Sequence, residues 1–253
     1  MKVIVLSSGS KGNTTYIETN ETRILIDAGN TCKYIINKLE EHNIEPESID
    51  AIFITHTHVD HVKGLKVLVK KINPCVYITE KMHPYLDYLE NYHIINEEKI
   101  KIKDILVEVI KTSHDTEDSV GYIINNKDNK SIVYITDTGY INRKYFEILK
   151  NRDIYIMESN HDVEMLNNSS YPFATRQRIL SDKGHLSNYD SAKYLATFIG
   201  DKTKYILLAH LSEENNTKEL AYVTLTDRLT QENIKVNNII ITKQNQETEF
   251  ITI

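Results

Sequence analysis

Thr55-His56-Thr57-His58-Val59-Asp60-His61 places three imidazoles and a carboxylate within six positions of the chain. The apolar segment 51–54 before it is short and rich in β-branched and aromatic residues, so we predict a buried strand there. The segment 62–71 after it carries apolar residues at helical spacing, which predicts a helix. The cluster therefore lies where a strand ends and a helix begins, and its side chains can converge on one point.

The residue types in this segment indicate metal binding, because imidazole and carboxylate are the usual ligands of Zn²⁺ and related divalent ions. Four such groups exceed what one small ion easily accepts from a single loop. His56 and His58 can point one way while Asp60 and His61 point another, which predicts two neighbouring ions. A chance cluster of surface histidines is the alternative, but the chain has only 10 histidines in all.

The composition is that of an ordinary globular protein. At 253 residues, with 40% hydrophobic and 26% charged residues, the chain can form a sizeable core, and we expect one domain spanning 1–253. No run approaches the roughly 20 apolar residues of a membrane span, so we expect no membrane association. Cys32 and Cys75, the two cysteines, suggest reduced thiols in a cytoplasmic protein. The net charge of −6 neither indicates nor excludes nucleic-acid binding.

Hydrophobic patterning predicts two strand-rich halves, each completed by helices. The predicted strands cover 3–6, 15–19, 23–26, 51–54, 76–78, 100–103, 105–110, 119–125, 130–136, 153–157, 205–208, 238–242 and 248–253. The predicted helices cover 33–42, 62–71, 81–90, 142–150, 187–199 and 217–232. This order fits two sheets packed face to face with helices outside, so that ligands at strand ends in both halves meet along one edge.

A turn rich in glycine and serine, residues 7–13, separates the first two predicted strands. Its composition is that of a nest of backbone N–H groups that binds an anion. A plain hairpin loop fits the same residues equally well, so both interpretations stay open at this point.

Three later residues stand at the ends of predicted strands and can complete a metal site. His114 follows the strand 105–110, and we predict that it joins His56 and His58 on one ion. Asp137 closes the strand 130–136, where its two oxygens can bridge both ions. His210 closes the strand 205–208 and is predicted to join Asp60 and His61 on the second ion. A polar residue at a strand end is often only a structural cap, but three such residues together with the segment 55–61 favour a metal centre.

This constellation resembles the metallo-β-lactamase superfamily, whose members carry His-x-His-x-Asp-His followed by a lone His, a lone Asp and a last His. The pattern spans residues 27–210, most of the chain. The resemblance implies an α/β (α+β) fold, a four-layer αββα sandwich with a dinuclear site at one edge. It also implies that Asp27, which follows an early strand, orients the ligand segment without touching metal.

A narrower resemblance is to the WalJ/YycJ (VicX) group of that superfamily. The residues that carry it are Ser8-Gly9-Ser10-Lys11-Gly12-Asn13, Glu158-Ser159-Asn160-His161-Asp162, Arg178-Ile179 and Gly184-His185-Leu186-Ser187-Asn188. Lys11 departs from the group's first turn. The group is linked to a bacterial cell-wall two-component operon and is regarded as DNA exonuclease-like.

The resemblance implies a metal-dependent phosphodiesterase, a DNA exonuclease, in which a hydroxide bridging two divalent metals attacks phosphorus. Asp60 would serve catalysis as well as metal binding. His185 would donate a proton or contact phosphate, with helix capping as its alternative. Arg178, Asn160 and His161 are predicted to bind substrate, although a solvated helix face explains Arg178 as well, and a structural role explains the other two.

Two other functions fit the same residues. The metal ligands serve a hydrolase of small thioesters or lactones equally well, since a fold does not determine a substrate. A non-catalytic regulatory protein of a cell-wall two-component system is the third interpretation, which the complete ligand set disfavours. Zn²⁺ is the first expectation for the metal, and Mn²⁺ and Fe²⁺ accept the same ligands.

Overall fold

The computed structural model describes residues 1–96 and 98–253, and within them the chain forms fourteen strands and eight α-helices. The strands are β1 (Lys2–Ser7), β2 (Thr14–Glu18), β3 (Arg23–Ile26), β4 (Ala51–Phe53), β5 (Cys75–Ile78), β6 (Tyr92–Ile94), β7 (Lys99–Ile102), β8 (Ile105–Lys111), β9 (Val120–Asn126), β10 (Ser131–Ile135), β11 (Ile154–Glu158), β12 (Tyr205–Ala209), β13 (Asn238–Ile241) and β14 (Ile251–Thr252). The helices are α1 (Cys32–Glu41), α2 (Val59–Val62), α3 (Leu65–Ile72), α4 (Phe146–Leu149), α5 (Val163–Asn167), α6 (Phe173–Ile179), α7 (Asn188–Phe198) and α8 (Lys218–Gln231).

The strands make two seven-stranded sheets, ordered β14-β1-β2-β3-β4-β5-β6 and β13-β12-β11-β10-β9-β8-β7. Within the first sheet, β3 to β6 run parallel to one another, and within the second, β10 to β13 do the same. The carboxyl ends of parallel strands lie at one edge of their sheet. Residues that follow β3, β4, β10, β11 and β12 are therefore brought to the sheet edges where a ligand site can form.

Alternation along the strands shows how the layers pack. In β11, Ile154 and Ile156 belong to the core cluster shared with the first sheet, whereas Tyr155 and Met157 belong to a second cluster with Leu195 of α7. This is the period-two pattern of a strand buried on both faces. Helices α1 and α3 pack in the first cluster, and α7 and α8 pack in the second. The predicted αββα sandwich is confirmed.

Several predicted elements differ from the structure. The helix predicted over 81–90 is wrong: a 3₁₀ turn at His83–Tyr85 contains Pro84, which lacks a backbone donor, and strand β6 follows. The strand predicted over 248–253 is confined to Ile251–Thr252. Among the described residues, none of the helices has both the length and the apolar character that crossing a bilayer requires.

The helix predicted over 62–71 begins earlier and is split into α2 and α3, separated by Lys63 and Gly64. The Gly64 N–H donates to the Ala28 carbonyl oxygen at 2.8 Å, and a Cβ at this position would overlap the Asn30 carbonyl oxygen. Glycine therefore allows the two helices to pack closely against the loop that follows β3. Asp60 and His61 consequently lie on the short helix α2.

Candidate metal centre

The predicted site residues lie where strands of both sheets end. Asp27 follows β3, Asp137 follows β10 and His210 follows β12, and all three have left-handed backbones, with φ of 61°, 55° and 55°. A residue other than glycine at positive φ is uncommon, and such strain costs of order 1–3 kcal/mol. Three strained residues at one edge indicate that the chain turns sharply there to aim these side chains.

The seven predicted metal ligands come together in space. Two sets of three have ligand atoms within 4.8 Å of one another: His56 with His58 and His114, and Asp60 with His61 and His210. Asp137 lies between the sets, because its Oδ2 is 3.1 Å from His61 Nε2 in one set and its Oδ1 is 4.0 Å from His114 Nε2 in the other. The side chains are therefore grouped as the sequence predicts, and their binding of metal stays a prediction.

His61 is held from behind by Asp27. Its Nδ1 lies 2.7 Å from Asp27 Oδ2, so the ring donates from Nδ1 and turns Nε2 towards Asp60 and Asp137. Asp27 also accepts hydrogen bonds from the Thr55 N–H and hydroxyl, both at 2.8 Å. The contacts fit the orienting role expected for Asp27, and partners of this kind raise ligand basicity and fix the tautomer.

His114 and His210 are anchored in the same way. His114 Nδ1 lies 3.1 Å from the Gly184 carbonyl oxygen, which only accepts, so Nδ1 carries the proton and Nε2 carries a lone pair. His210 Nδ1 lies 3.2 Å from Glu158 Oε1, and its Nε2 lies 3.4 Å from Asp60 Oδ2. In each ring one nitrogen is bonded to the protein and the other faces the centre.

Two of the atoms that face the centre lack a hydrogen-bond partner, and they test whether a metal fits. His56 Nε2 and Asp137 Oδ2 are buried and make no hydrogen bond. His58 Nδ1 and His114 Nε2 face each other at 3.2 Å. Buried acceptors without donors are costly, and a divalent cation satisfies imidazole nitrogens and carboxylate oxygens together. The donor set therefore fits divalent ions.

The carboxylates of the site also favour a positive charge at its centre. Burial lowers the pKa of His210, but the Asp137 carboxylate and hydrogen bonds to Asp60 and Glu158 outweigh it and raise that pKa to about 10. Burial likewise opposes ionisation of Asp137, yet His210 and His61 hold its pKa well below the usual range. The carboxylates therefore remain charged and draw a cation towards the centre, where metal ions would replace the protons.

Glu158 is a site residue to which the sequence reasoning gave no role. It ends β11, is fully buried, and its Oε1 accepts from His185 Nδ1 at 2.7 Å and from His210 Nδ1 at 3.2 Å. Its Oε2 accepts from the N–H groups of Thr138 and Leu186, at 2.9 and 3.1 Å. The signal in the sequence was a polar residue at the end of a buried strand, the feature by which Asp137 and His210 were found.

His185, the predicted proton donor, lies beside the ligand histidines. Its ring stacks on that of His210 with centroids 5.4 Å apart and meets that of His114 edge-on at 4.9 Å. Ser187, two residues on, caps α7 by accepting from the Asp190 N–H at 3.1 Å. The cap is therefore made by Ser187, which leaves His185 free to face the centre.

The turn over residues 7–13 is a hairpin loop whose N–H groups are already bonded. Protein acceptors take the N–H groups of Ser8, Gly9, Lys11, Gly12 and Asn13. The anion-nest interpretation is therefore not supported. Instead, the Asn13 amide nitrogen lies 3.0 Å from His61 Nε2 and 3.3 Å from Asp60 Oδ2, and the Ser8 hydroxyl accepts from the His210 N–H at 2.8 Å. The turn supports the ligands directly.

The three remaining predicted substrate residues differ in exposure. Arg178 on α6 is exposed and pairs with Asp115 at 2.6 Å, next to the predicted ligand His114. Asn160 is 6% exposed, and its amide donates to the His210 carbonyl oxygen at 3.0 Å. His161 is 1% exposed. Substrate contact stays a prediction for all three, and burial favours a supporting position for Asn160 and His161.

Comparison with known proteins gives the chain's relatives. Residues 22–210 match the family described as "Beta-lactamase superfamily domain". The chain is 43% identical over 244 residues to an exodeoxyribonuclease WalJ of Streptococcus pneumoniae serotype 2, covering 93% of this chain and 90% of the relative. It is 38% identical over 239 residues to an exodeoxyribonuclease YycJ of Bacillus anthracis, covering 92% and 90%. Among solved structures, the metallo-β-lactamase fold protein YhfI of Bacillus subtilis superposes with a TM-score of 0.74 at 16% identity, over 98% of both chains.

Proposed function

The chain belongs to the β-lactamase superfamily domain family and is similar to the WalJ/YycJ exodeoxyribonucleases over most of its length, and on that premise we propose that it is a metal-dependent phosphodiesterase that degrades DNA from an end. The observation that carries the proposal is the convergence of seven imidazole and carboxylate side chains from separate stretches of chain, two of whose inward atoms, His56 Nε2 and Asp137 Oδ2, are buried without a hydrogen-bond partner. The relatives' names supply the substrate class.

We assign one ion to His56, His58 and His114 and the other to Asp60, His61 and His210, with Asp137 contacting both. Two such ions, when bound, supply Lewis acidity at the phosphate oxygens and neutralise the charge that develops there. Zn²⁺ is our first choice, and Mn²⁺ and Fe²⁺ suit the same donors. This choice is open to direct measurement, since the ligand types alone do not select one metal.

The protein's own contribution begins with preorganisation. Asp27, Glu158 and the Gly184 carbonyl oxygen each bind one nitrogen of a ligand histidine, so the other nitrogen is aimed before any ion or substrate arrives. The left-handed backbones of Asp137 and His210 hold their side chains at the same edge. A site assembled in advance loses little free energy to rearrangement when the substrate binds.

We assign proton transfer to the leaving group to the pair formed by His185 and Glu158. Glu158 is buried and ionised, since contacts with His185 hold its pKa below the usual range against the effect of burial, and it accepts from His185 Nδ1. This contact fixes Nδ1 against Glu158 and leaves Nε2 as the other proton-carrying atom of the ring. We assign to Nε2 the donation of a proton to the leaving oxygen of a phosphodiester. Asp60, our other catalytic candidate, is part-exposed beside His210.

The test is a substrate panel with protein reconstituted separately with Zn²⁺, Mn²⁺ and Fe²⁺. It includes end-labelled duplex and single-stranded DNA, RNA, bis-p-nitrophenyl phosphate, a thioester and a lactone. We expect stepwise loss of nucleotides from linear DNA and no degradation of covalently closed circular DNA. The matched inactive control is Asp137→Asn, which preserves the shape of the side chain.

The outcomes separate the functions that the ligands permit. Degradation of closed circles would replace the exonuclease with an endonuclease. Turnover of the thioester or lactone alone would replace the phosphodiesterase with a small-molecule hydrolase. No turnover of any substrate by protein that binds two metals would favour the regulatory role.

A further inference from the structure

Lys11 occupies the tip of the turn over residues 7–13. Two residues later, the Asn13 amide lies against Asp60 and His61. The Lys11 N–H is bonded to Gln244 Oε1 at 3.1 Å, so the backbone at this position is fixed while the side chain extends from it. The turn therefore presents one cation next to the candidate metal centre.

The partner of Lys11 comes from the other sheet. Glu213 stands three residues after His210, and its Oε2 lies 2.5 Å from Lys11 Nζ. The ion pair therefore joins the two sheet edges beside Asp60 and His210. Both side chains are more than half exposed, at 61% and 51%. An exposed pair of this kind shifts an equilibrium by about fivefold at most, so a phosphate group can compete for the lysine.

The opposite side of the centre carries a similar pair. Arg178 binds Asp115 at 2.6 Å beside His114, with the arginine side chain 56% exposed. Each flank of the ligand cluster thus holds one exposed cation that a carboxylate occupies in the free protein. Glu213 lines a groove of about 570 Å³, whose lining also includes Gln244, the cations Lys218 and Lys243, and the acid Glu219.

We propose that Lys11 binds a backbone phosphate of the DNA strand next to the cleaved linkage, and that Glu213 competes with that phosphate for the lysine. This inference rests on the proposed function for the identity of the substrate. The strand passes between Arg178 on one flank and Lys11 on the other. Glu213 weakens binding in two ways, because it occupies Lys11 in the free protein and repels the phosphate in the complex.

The experiment measures binding and turnover separately in metal-loaded protein. Binding is followed by fluorescence anisotropy of a labelled oligonucleotide with phosphorothioate linkages, which resist hydrolysis, across a salt series. Lys11→Gln should weaken binding by about threefold to tenfold and reduce the slope of log K against log salt by about 0.7–0.9. Glu213→Gln should tighten binding by about twofold to fivefold.

A matched control pair lies at the opposite end of the strands from the candidate metal centre. Lys127 and Glu21 form a pair at 2.8 Å with side chains 61% and 56% exposed, between the β9–β10 and β2–β3 turns. Lys127→Gln and Glu21→Gln change net charge as the test variants do but lie far from the strand ends that form the site. We expect them to leave both binding and its salt dependence unchanged. Hydrolysis of bis-p-nitrophenyl phosphate, too small to span the site, should be unchanged in Lys127→Gln and Glu21→Gln, and its rate in Lys11→Gln and Glu213→Gln shows whether either substitution disturbs the metal centre.

Tighter binding by Glu213→Gln is the decisive result, because a merely structural ion pair would give neutral or weaker binding. Equal affinity and slope in parent, Lys11→Gln and Glu213→Gln would overturn the proposed contact. A parent that hydrolyses bis-p-nitrophenyl phosphate but does not bind the oligonucleotide would overturn the contact and leave the hydrolase standing. Binding that responds as expected in a protein without turnover would support the contact and overturn the proposed catalysis.

Discussion

Replacing Asp27 by asparagine tests whether a residue outside the proposed ligand set controls metal affinity through the histidine that it holds. Asp27 is fully buried and accepts three hydrogen bonds, two from Thr55 and one from His61 Nδ1. Asparagine has nearly the same shape, but one of its two polar atoms donates. Each orientation of the amide therefore breaks the network in a different place.

If the oxygen of the new amide faces His61, its NH₂ group meets the Thr55 N–H, and two buried donors oppose each other. If the NH₂ group faces His61 instead, the ring must accept at Nδ1 and carry its proton on Nε2, the atom that faces Asp60 and Asp137. The first orientation should reduce the free energy of unfolding of the metal-free protein by about 1–3 kcal/mol. The second should weaken metal binding by about 10–100-fold.

The assay combines urea unfolding of metal-free protein with competitive metal titration against a chromogenic chelator. Asp153→Asn is the matched control, since Asp153 is buried and accepts from the Ser131 N–H and hydroxyl at 3.0 and 2.9 Å, at the start of β11 away from the site. That variant should lose stability and keep its metal affinity. Unchanged metal affinity in Asp27→Asn, or an equal loss in Asp153→Asn, would refute the orienting role.

Four further results are expected. Asp137→Asn should lower bound metal below two equivalents per chain by elemental analysis and abolish hydrolysis, with a circular dichroism spectrum like that of the parent. His185→Ala should slow DNA hydrolysis by about 10²–10⁴-fold but slow bis-p-nitrophenyl phosphate far less, because p-nitrophenolate leaves without a proton; equal losses on both substrates would exclude proton donation. Glu158→Gln should follow the same pattern and also weaken metal binding, since Glu158 holds His210 as well. Arg178→Ala should reduce the salt slope of DNA binding by about one contact, and an unchanged slope would refute that contact.

Sequence reasoning predicted a group of side chains that the structure brings together, because the chemistry of that group is local. His56, His58, Asp60 and His61 stand within one short segment, and His114, Asp137 and His210 each follow a recognisable strand. Strands with β-branched residues on both faces indicated their own burial, and the αββα sandwich followed from their order and from the family resemblance. The relatives confirm the family.

Contacts between residues far apart in the chain could not be predicted from the sequence. Glu158 meets His185 and His210 across 27 and 52 positions, and Lys11 meets Glu213 across 202. No local pattern encodes which partner an acid will find. The turn over residues 7–13 shows the same limit, because its composition fitted an anion nest and a plain hairpin loop equally well. Acceptors from remote segments, such as Gln244, bind its N–H groups and favour the hairpin loop. The helix expected over 81–90 failed because Pro84 and tertiary packing outweigh a weak helical pattern.

Anomalous diffraction from crystals of the metal-loaded protein tests the central claim most directly. We predict two anomalous peaks about 3.5–4 Å apart, one among His56, His58 and His114, the other among Asp60, His61 and His210, with Asp137 contacting both. A single peak, or two peaks beyond the reach of Asp137, would contradict the dinuclear site and the phosphodiesterase chemistry that depends on it.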